Sequence, residues 1–182
     1  DLEDDYFSVD DYLRLYLGKY RLEGYHKEKN GKLSDGGLFE QAVCETLKKE
    51  GFEVLAGIRP EGEGNQLEID LIFRLKNQIG IAEIKLGDKE NESIKKGIDQ
   101  LSTASQREYL GTYAHRFLIT ARKVTNANKK IAYRHGVKLI QLTDYSSLNP
   151  NRGGTQWKKI LIETVKEKML SSKAENSLQQ KG

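Results

Sequence analysis

One cysteine in 182 residues, Cys44, excludes an internal disulfide. Nothing points to an oxidising compartment, so the chain reads as cytoplasmic. Cys44 sits among Ala42, Val43 and Leu47, where a small buried hydrophobe is expected. No apolar run is long enough to cross a bilayer, and no charged-then-apolar secretory start is present. No membrane partner is therefore expected. The first residue is Asp1 rather than Met, as in a processed product or an excised domain. His26, His115 and His135 have no cysteine or histidine at zinc-ligand spacing, so none is assigned a metal role. A Walker loop, a dinucleotide glycine fingerprint and a Gly-x-Ser-x-Gly elbow are all missing, and there is no internal repeat.

Hydrophobic residues make up 37% of the chain and charged residues 31%, a globular profile rich in charge. The net charge of +3 is unevenly spread. Residues 1–11 hold six acids and no Lys or Arg, which leaves +9 on the remainder. A basic body suits a phosphate-rich partner such as nucleic acid.

Residues 1–35 read as an N-terminal helix followed by a linker. Ser8-Val9-Asp10-Asp11 resembles a capping box for a helix through Tyr12 to Leu17, and the Gly-containing stretch 19–34 reads as a loose connection. The main domain is expected over 36–145. Leu38, Phe39, Ala42, Val43 and Leu47 recur at helical spacing, with Gly51 as a stop. Phe52–Ala56, Gln66–Arg74 and Ile79–Lys85 read as strands, the last two joined by a turn around Lys76-Asn77-Gln78. A helix with Ile94, Ile98, Leu101 and Tyr109 on one side follows. His115–Ala121, a short helix capped by Thr125 or Asn126, and Val137–Leu142 then form a parallel crossover unit. The order predicts a mixed sheet flanked by helices, an α/β domain. An amphipathic helix is expected within 146–172, with Trp157, Leu161, Val165 and Met169 spaced four apart, and a disordered polar tail over 173–182. The two terminal helices either complete this domain's own core, which is simpler, or serve a dimer contact or a missing domain.

The middle hairpin carries the chemistry. Side chains alternate along a strand, so Ile79, Ile81, Glu83 and Lys85 share a face, as do Glu68, Asp70, Ile72 and Arg74. A two-residue loop at Asn77-Gln78 places Asp70 opposite Lys85. Shifting that loop back by one residue, or lengthening it to four, places Asp70 opposite Glu83. Either register brings Asp70, Glu83 and Lys85 within reach of one another. Carboxylates packed beside isoleucines are costly unless compensated. A divalent cation, Mg²⁺ or Mn²⁺, compensates them and can activate a water against a phosphate, with Lys85 assisting. The alternative is a surface ion pair on a half-exposed hairpin.

Asp70 followed by Glu83-Ile84-Lys85 resembles the PD-(D/E)XK nuclease motif, and the element order is similar to that superfamily's restriction-endonuclease-like αβββαβ core. Ile69 stands where the strict motif has proline. The resemblance implies Asp70, Glu83, Glu40 and the Ile84 backbone carbonyl as metal ligands. Leu67-Glu68-Ile69-Asp70-Leu71-Ile72-Phe73, Ile81-Ala82-Glu83-Ile84-Lys85 and Lys96-Gly97-Ile98-Asp99-Gln100-Leu101 further resemble the nuclease domain fused to CARF sensors in type III CRISPR ancillary effectors. Members usually have cysteine where Ile84 stands. That resemblance covers about residues 36–142. It implies a homodimeric antiviral defence endonuclease acting on RNA or DNA, and its sensor domain has no counterpart in this chain.

Glu68 is a candidate supporting acid, and Gln100 and Lys96 are candidate substrate contacts. Lys95, Lys96, Arg107, Arg116, Arg122 and Lys123 can line a phosphate track, which would make binding salt-sensitive. Two other functions fit the same residues: an inactive nucleic-acid-binding module of this fold, and a restriction or junction-resolving DNA nuclease.

Overall fold

The computed structural model describes residues 7–62, 67–86, 92–104, 113–146 and 156–179. Ser8 opens α1 (Val9–Leu17) through the expected capping box. Its hydroxyl accepts from the Asp11 amide at 3.1 Å, and Asp11 accepts from the Ser8 amide at 3.0 Å. Tyr20–Leu22 then forms β1 and pairs antiparallel with Ile58–Pro60. The stretch 19–34 is therefore not simply a linker. A three-residue strand is too short to leave a period in the sequence, and its partner lies nearly forty residues away.

Ser34 caps α2 (Asp35–Lys49), accepting from the Gly37 amide at 3.0 Å. Three strands follow: β2 (Glu53–Pro60), β3 (Ile69–Leu75) and β4 (Gln78–Lys85). Then come α3 (Glu92–Ala104), β5 (His115–Thr120), α4 (Asn126–Arg134) and β6 (Val137–Gln141). Thr125 is the cap of α4. The six strands lie in sequential order, antiparallel from β1 to β4 and parallel from β4 to β6. This is the expected mixed α/β sheet, with the αβββαβ order running from α2 to β5 and a further helix and strand beyond it.

Helices cover both faces. On one, Val9, Tyr12 and Leu13 of α1 and Ile94, Ile98 and Leu101 of α3 pack with Ile72, Ile79 and Ile81. On the other, Phe39, Val43 and Leu47 of α2 pack with Leu71, Phe73 and Ala82. The last helix, α5 (Gln156–Gln179), adds Trp157, Leu161, Val165 and Met169 to that second face. Both terminal helices thus complete this domain's own core. The backbone of α5 stays helical to Gln179, past the residue where a polar tail was expected to begin. The apolar spacing ends at Met169, so periodicity could not show the extension. Tyr109 and Arg107 lie outside the described residues.

β3 and β4 turn at Lys76-Asn77, where Lys76 takes a left-handed φ of 54° and Leu75 faces Gln78. The loop sits one residue earlier than Asn77-Gln78. The ladder runs to Leu71 opposite Ala82, which makes Asp70 and Glu83 the next residues on their strands.

Candidate active site

Asp70 and Glu83 meet where the sheet is locally distorted. Ile69 and Ile72 pack into the same cluster although they are three apart, so strict alternation fails at Asp70. Pairing between β2 and β3 steps from Ala56–Leu71 to Ile58–Ile69, and the residue facing Asp70 is Gly57, at φ 67°. A Cβ on Gly57 would sit 2.2 Å from the Gly24 carbonyl oxygen, so only glycine lets the β1–α2 connection close onto this point. Asp70 then supplies an acceptor of its own: Oδ2 takes the Ile84 N–H at 2.8 Å.

Both acids are buried, Asp70 at 4% exposure and Glu83 at 3%. Burial, then the adjacent Asp70 charge and a side-chain hydrogen bond to it, push the Glu83 carboxyl well above its usual range. Lys85 pulls it the other way and Glu68 adds to the rise. Lys85 is half-buried, and its aliphatic stem crosses α3 at Gly97. A Cβ on Gly97 would lie 3.4 Å from Lys85 Cε and 2.8 Å from Leu118. The glycine leaves the lysine room to run alongside the helix.

Glu40 reaches the same region from α2, at 2% exposure. Its Oε1 is hydrogen-bonded to His26 Nδ1, while Oε2 is buried with no partner among the described residues. Burial raises the Glu40 carboxyl, His26 opposes that, and the Asp70 charge adds to it. Glu68, one residue before β3, accepts from Arg59 Nη2 through Oε2 at 2.9 Å. Its other oxygen lies 3.4 Å from His26 Nε2.

His26 is the residue that spacing missed. It stands between Glu40 and Glu68, with ligand atoms of His26, Glu68 and Asp70 all within 4.8 Å of one another. These groups come from three separate segments, which no spacing rule joins. The one trace in the sequence is Gly37, just inside the Ser34 cap. A Cβ there would fall 2.0 Å from the His26 carbonyl oxygen, which Ser34 holds through its N–H and its hydroxyl, both at 3.1 Å.

The hydrogen bond to Glu40 raises the His26 imidazole from 6.5 to about 9, with Asp70 and Glu68 adding and burial opposing. Because the folded value is the higher one, this stabilisation is complete below pH 6.5 and is lost as pH climbs through 9. Thermal melts of the metal-free protein across that window should therefore show a loss of stability that is smaller in His26→Gln, the remainder belonging to other buried acids such as Glu83. Parallel curves for the two proteins would contradict the assignment.

Gln100 lies one turn beyond Gly97 with its Oε1 buried and without a hydrogen-bond partner among the described residues, and Lys96 is exposed on α3. Neither makes a hydrogen bond or ion pair with the acids among the described residues. Lys95, Arg122 and Lys123 are exposed, and Arg116 is half-buried beside Gly136.

The fold is a mixed six-stranded α/β sheet flanked by helices, with Asp70, Glu83 and Lys85 gathered where β3 and β4 part. No protein-family model and no curated protein matches the chain. Among solved structures it is similar to Can2 from Sulfobacillus thermosulfidooxidans in complex with cyclic tetra-adenylate. That match has a TM-score of 0.53 and 18% identity, over 71% of this chain and 37% of that one. Protein VC1899 from Vibrio cholerae matches at a TM-score of 0.46 and 16% identity, over 76% and 40% of the two chains. A repair endonuclease from Pyrococcus abyssi matches at 0.39 and 17%, over 66% and 49%. The chain thus spans less than half of each of these three, and the likeness to Can2 is one of fold.

Proposed function

We propose that this chain is a metal-dependent endonuclease that hydrolyses phosphodiester bonds of RNA or DNA. The observation that carries the proposal is the buried Asp70–Glu83 pair beside Lys85. Two carboxyls taken from water and set against each other need a cation to be ionised together. The donor set suits Mg²⁺ or Mn²⁺: Asp70, Glu83, Glu40 Oε2, which has no partner among the described residues, and the Ile84 carbonyl offer oxygen atoms only.

A divalent cation bound there would lower the pKa of a water and offset charge developing on the phosphate. The chain's own groups do the remaining work. Asp70 is fixed by the Ile84 amide, so its carboxylate is oriented before substrate arrives. Lys85, laid along Gly97, directs its ammonium to the attacking water or to the transition-state oxygens. The basic balance outside residues 1–11 favours the polyanionic substrate.

We extend the proposal to the effector domain of a CRISPR-linked defence nuclease, working as a homodimer under a separate sensor domain. Its support is the motif resemblance together with the fold likeness to Can2, whose structure holds a cyclic oligoadenylate. The test is incubation with labelled single- and double-stranded RNA and DNA in Mg²⁺ or Mn²⁺, with and without EDTA. Cleavage in metal that EDTA abolishes is expected. Salt-sensitive binding without cleavage in either metal would make the chain a binding module instead. Cutting confined to one defined sequence or to four-way junctions would place it with restriction or junction-resolving enzymes.

A further inference from the structure

We propose that His26, Glu68 and Asp70 form a second cation site, one that takes a first-row transition ion in preference to Mg²⁺. The inference rests on the nuclease proposal only in that Asp70 is common to both sites. Three ligand atoms, one from each residue, lie within 4.8 Å of one another. That is about the span across an ion whose ligands sit roughly 2.0–2.6 Å away.

What distinguishes this cluster from a chance meeting of charges is how each member is held. His26 gives Nδ1 to Glu40, leaving Nε2 directed at Glu68. Metal-ligating histidines are oriented in this way, with the other ring nitrogen on a carboxylate that fixes the tautomer. Glu40 is 2% exposed and its second oxygen has no partner among the described residues. Glu68 commits Oε2 to Arg59 at 2.9 Å and keeps Oε1 on the His26 side. Asp70 commits Oδ2 to the Ile84 amide at 2.8 Å. The His26 backbone is tied by two hydrogen bonds from Ser34. Each ligand thus has a support within the fold, and Asp70 is shared with Glu83, whose carboxyl is hydrogen-bonded to it.

The donor set decides the ion. Mg²⁺ seeks oxygen ligands and waters, whereas an imidazole nitrogen suits the later divalent metals. One imidazole with two carboxylates accordingly favours an ion such as Mn²⁺ or one later in the series, and Mn²⁺ also serves as a spectroscopic probe. Glu40 acts here as a positioning residue through His26.

The experiment is pulsed EPR of the untagged full chain loaded with Mn²⁺, together with equilibrium titration of Mn²⁺. Wild type is expected to show nitrogen hyperfine coupling and to bind two Mn²⁺ per chain. His26→Gln should lose the coupling and bind one, while His115→Gln should keep both properties. Glu68→Gln should weaken the second site by about 10- to 100-fold without touching a nitrogen ligand. Absence of nitrogen coupling in wild type, or its survival in His26→Gln, overturns the proposal. The two proposals separate cleanly. Nitrogen coupling without cleavage would leave the metal site standing and remove the nuclease. Cleavage without nitrogen coupling would do the reverse.

Discussion

Asp70→Asn is expected to lower metal-dependent cleavage by about 10²–10³-fold or more, with the melting temperature little changed. The asparagine oxygen can still accept the Ile84 N–H, which Asp70 accepts at 2.8 Å, so the β3–β4 geometry is kept. What disappears is the negative charge that a cation needs. Asp70→Ala would confuse the result, because it strands a buried amide at a cost of about 1–3 kcal/mol. Lys85→Ala separates metal binding from chemistry. It removes an ammonium from a site whose acids remain, so Mn²⁺ should still bind while the rate falls by about 10²-fold or more. Rates are measured under single-turnover conditions, and metal affinity by titration. Identical products from wild type and Lys85→Ala would sink the assignment of this lysine.

The second large effect concerns stability without metal. Glu83 has its carboxyl raised well above an ordinary value of 4.5, first by burial and then by Asp70. The folded state therefore holds a proton that the unfolded chain gives up as pH rises past 4.5. Over that range the folded state binds more protons, so stability falls with increasing pH. Glu83→Gln removes the ionisable group and keeps a hydrogen bond to Asp70 available through its amide. At pH 8 and without metal it should be more stable than wild type by about 1–3 kcal/mol. That is a rise in melting temperature of roughly 2–10 °C for a chain of this size. Saturating Mn²⁺ should reverse the order, stabilising wild type and leaving the variant nearly unmoved. A Glu83→Gln protein less stable than wild type in EDTA would show that the carboxylates are compensated by the protein alone.

The hairpin shows how far pattern reasoning carries. Alternation along Ile79, Ile81, Glu83 and Lys85 survives in the folded strand, because Ile79 and Ile81 share a cluster and Lys85 runs along α3 on the same side. On β3 the same rule stops at Asp70, where the pairing steps past Gly57. A left-handed glycine opposite a strand residue leaves no period in that strand's own sequence. The choice between two registers was likewise settled by where Lys76 turns the chain. Apolar periodicity placed α2, α3 and the start of α5, since each buries a stripe on the sheet. It was silent on β1, which has three residues and one neighbour.

The sequence alone brought Asp70 to Glu83 and Lys85 at one end of the hairpin, because a short turn and the parity of β4 are local properties, although the parity of β3 fails at Asp70. The sequence also determined the αβββαβ order from α2 to β5, since each of those elements carries its own period. Only the tertiary structure decided that Asp70 faces Glu83, that Glu40 turns one oxygen to His26, and that Glu68 is held by Arg59. Those contacts join residues 26, 40, 59, 68 and 70 through a three-strand edge and one helix end. Their partners are chosen by how β1 and α2 close onto Gly57 and His26, where the absence of two side chains permits an approach that no run of neighbouring residues encodes.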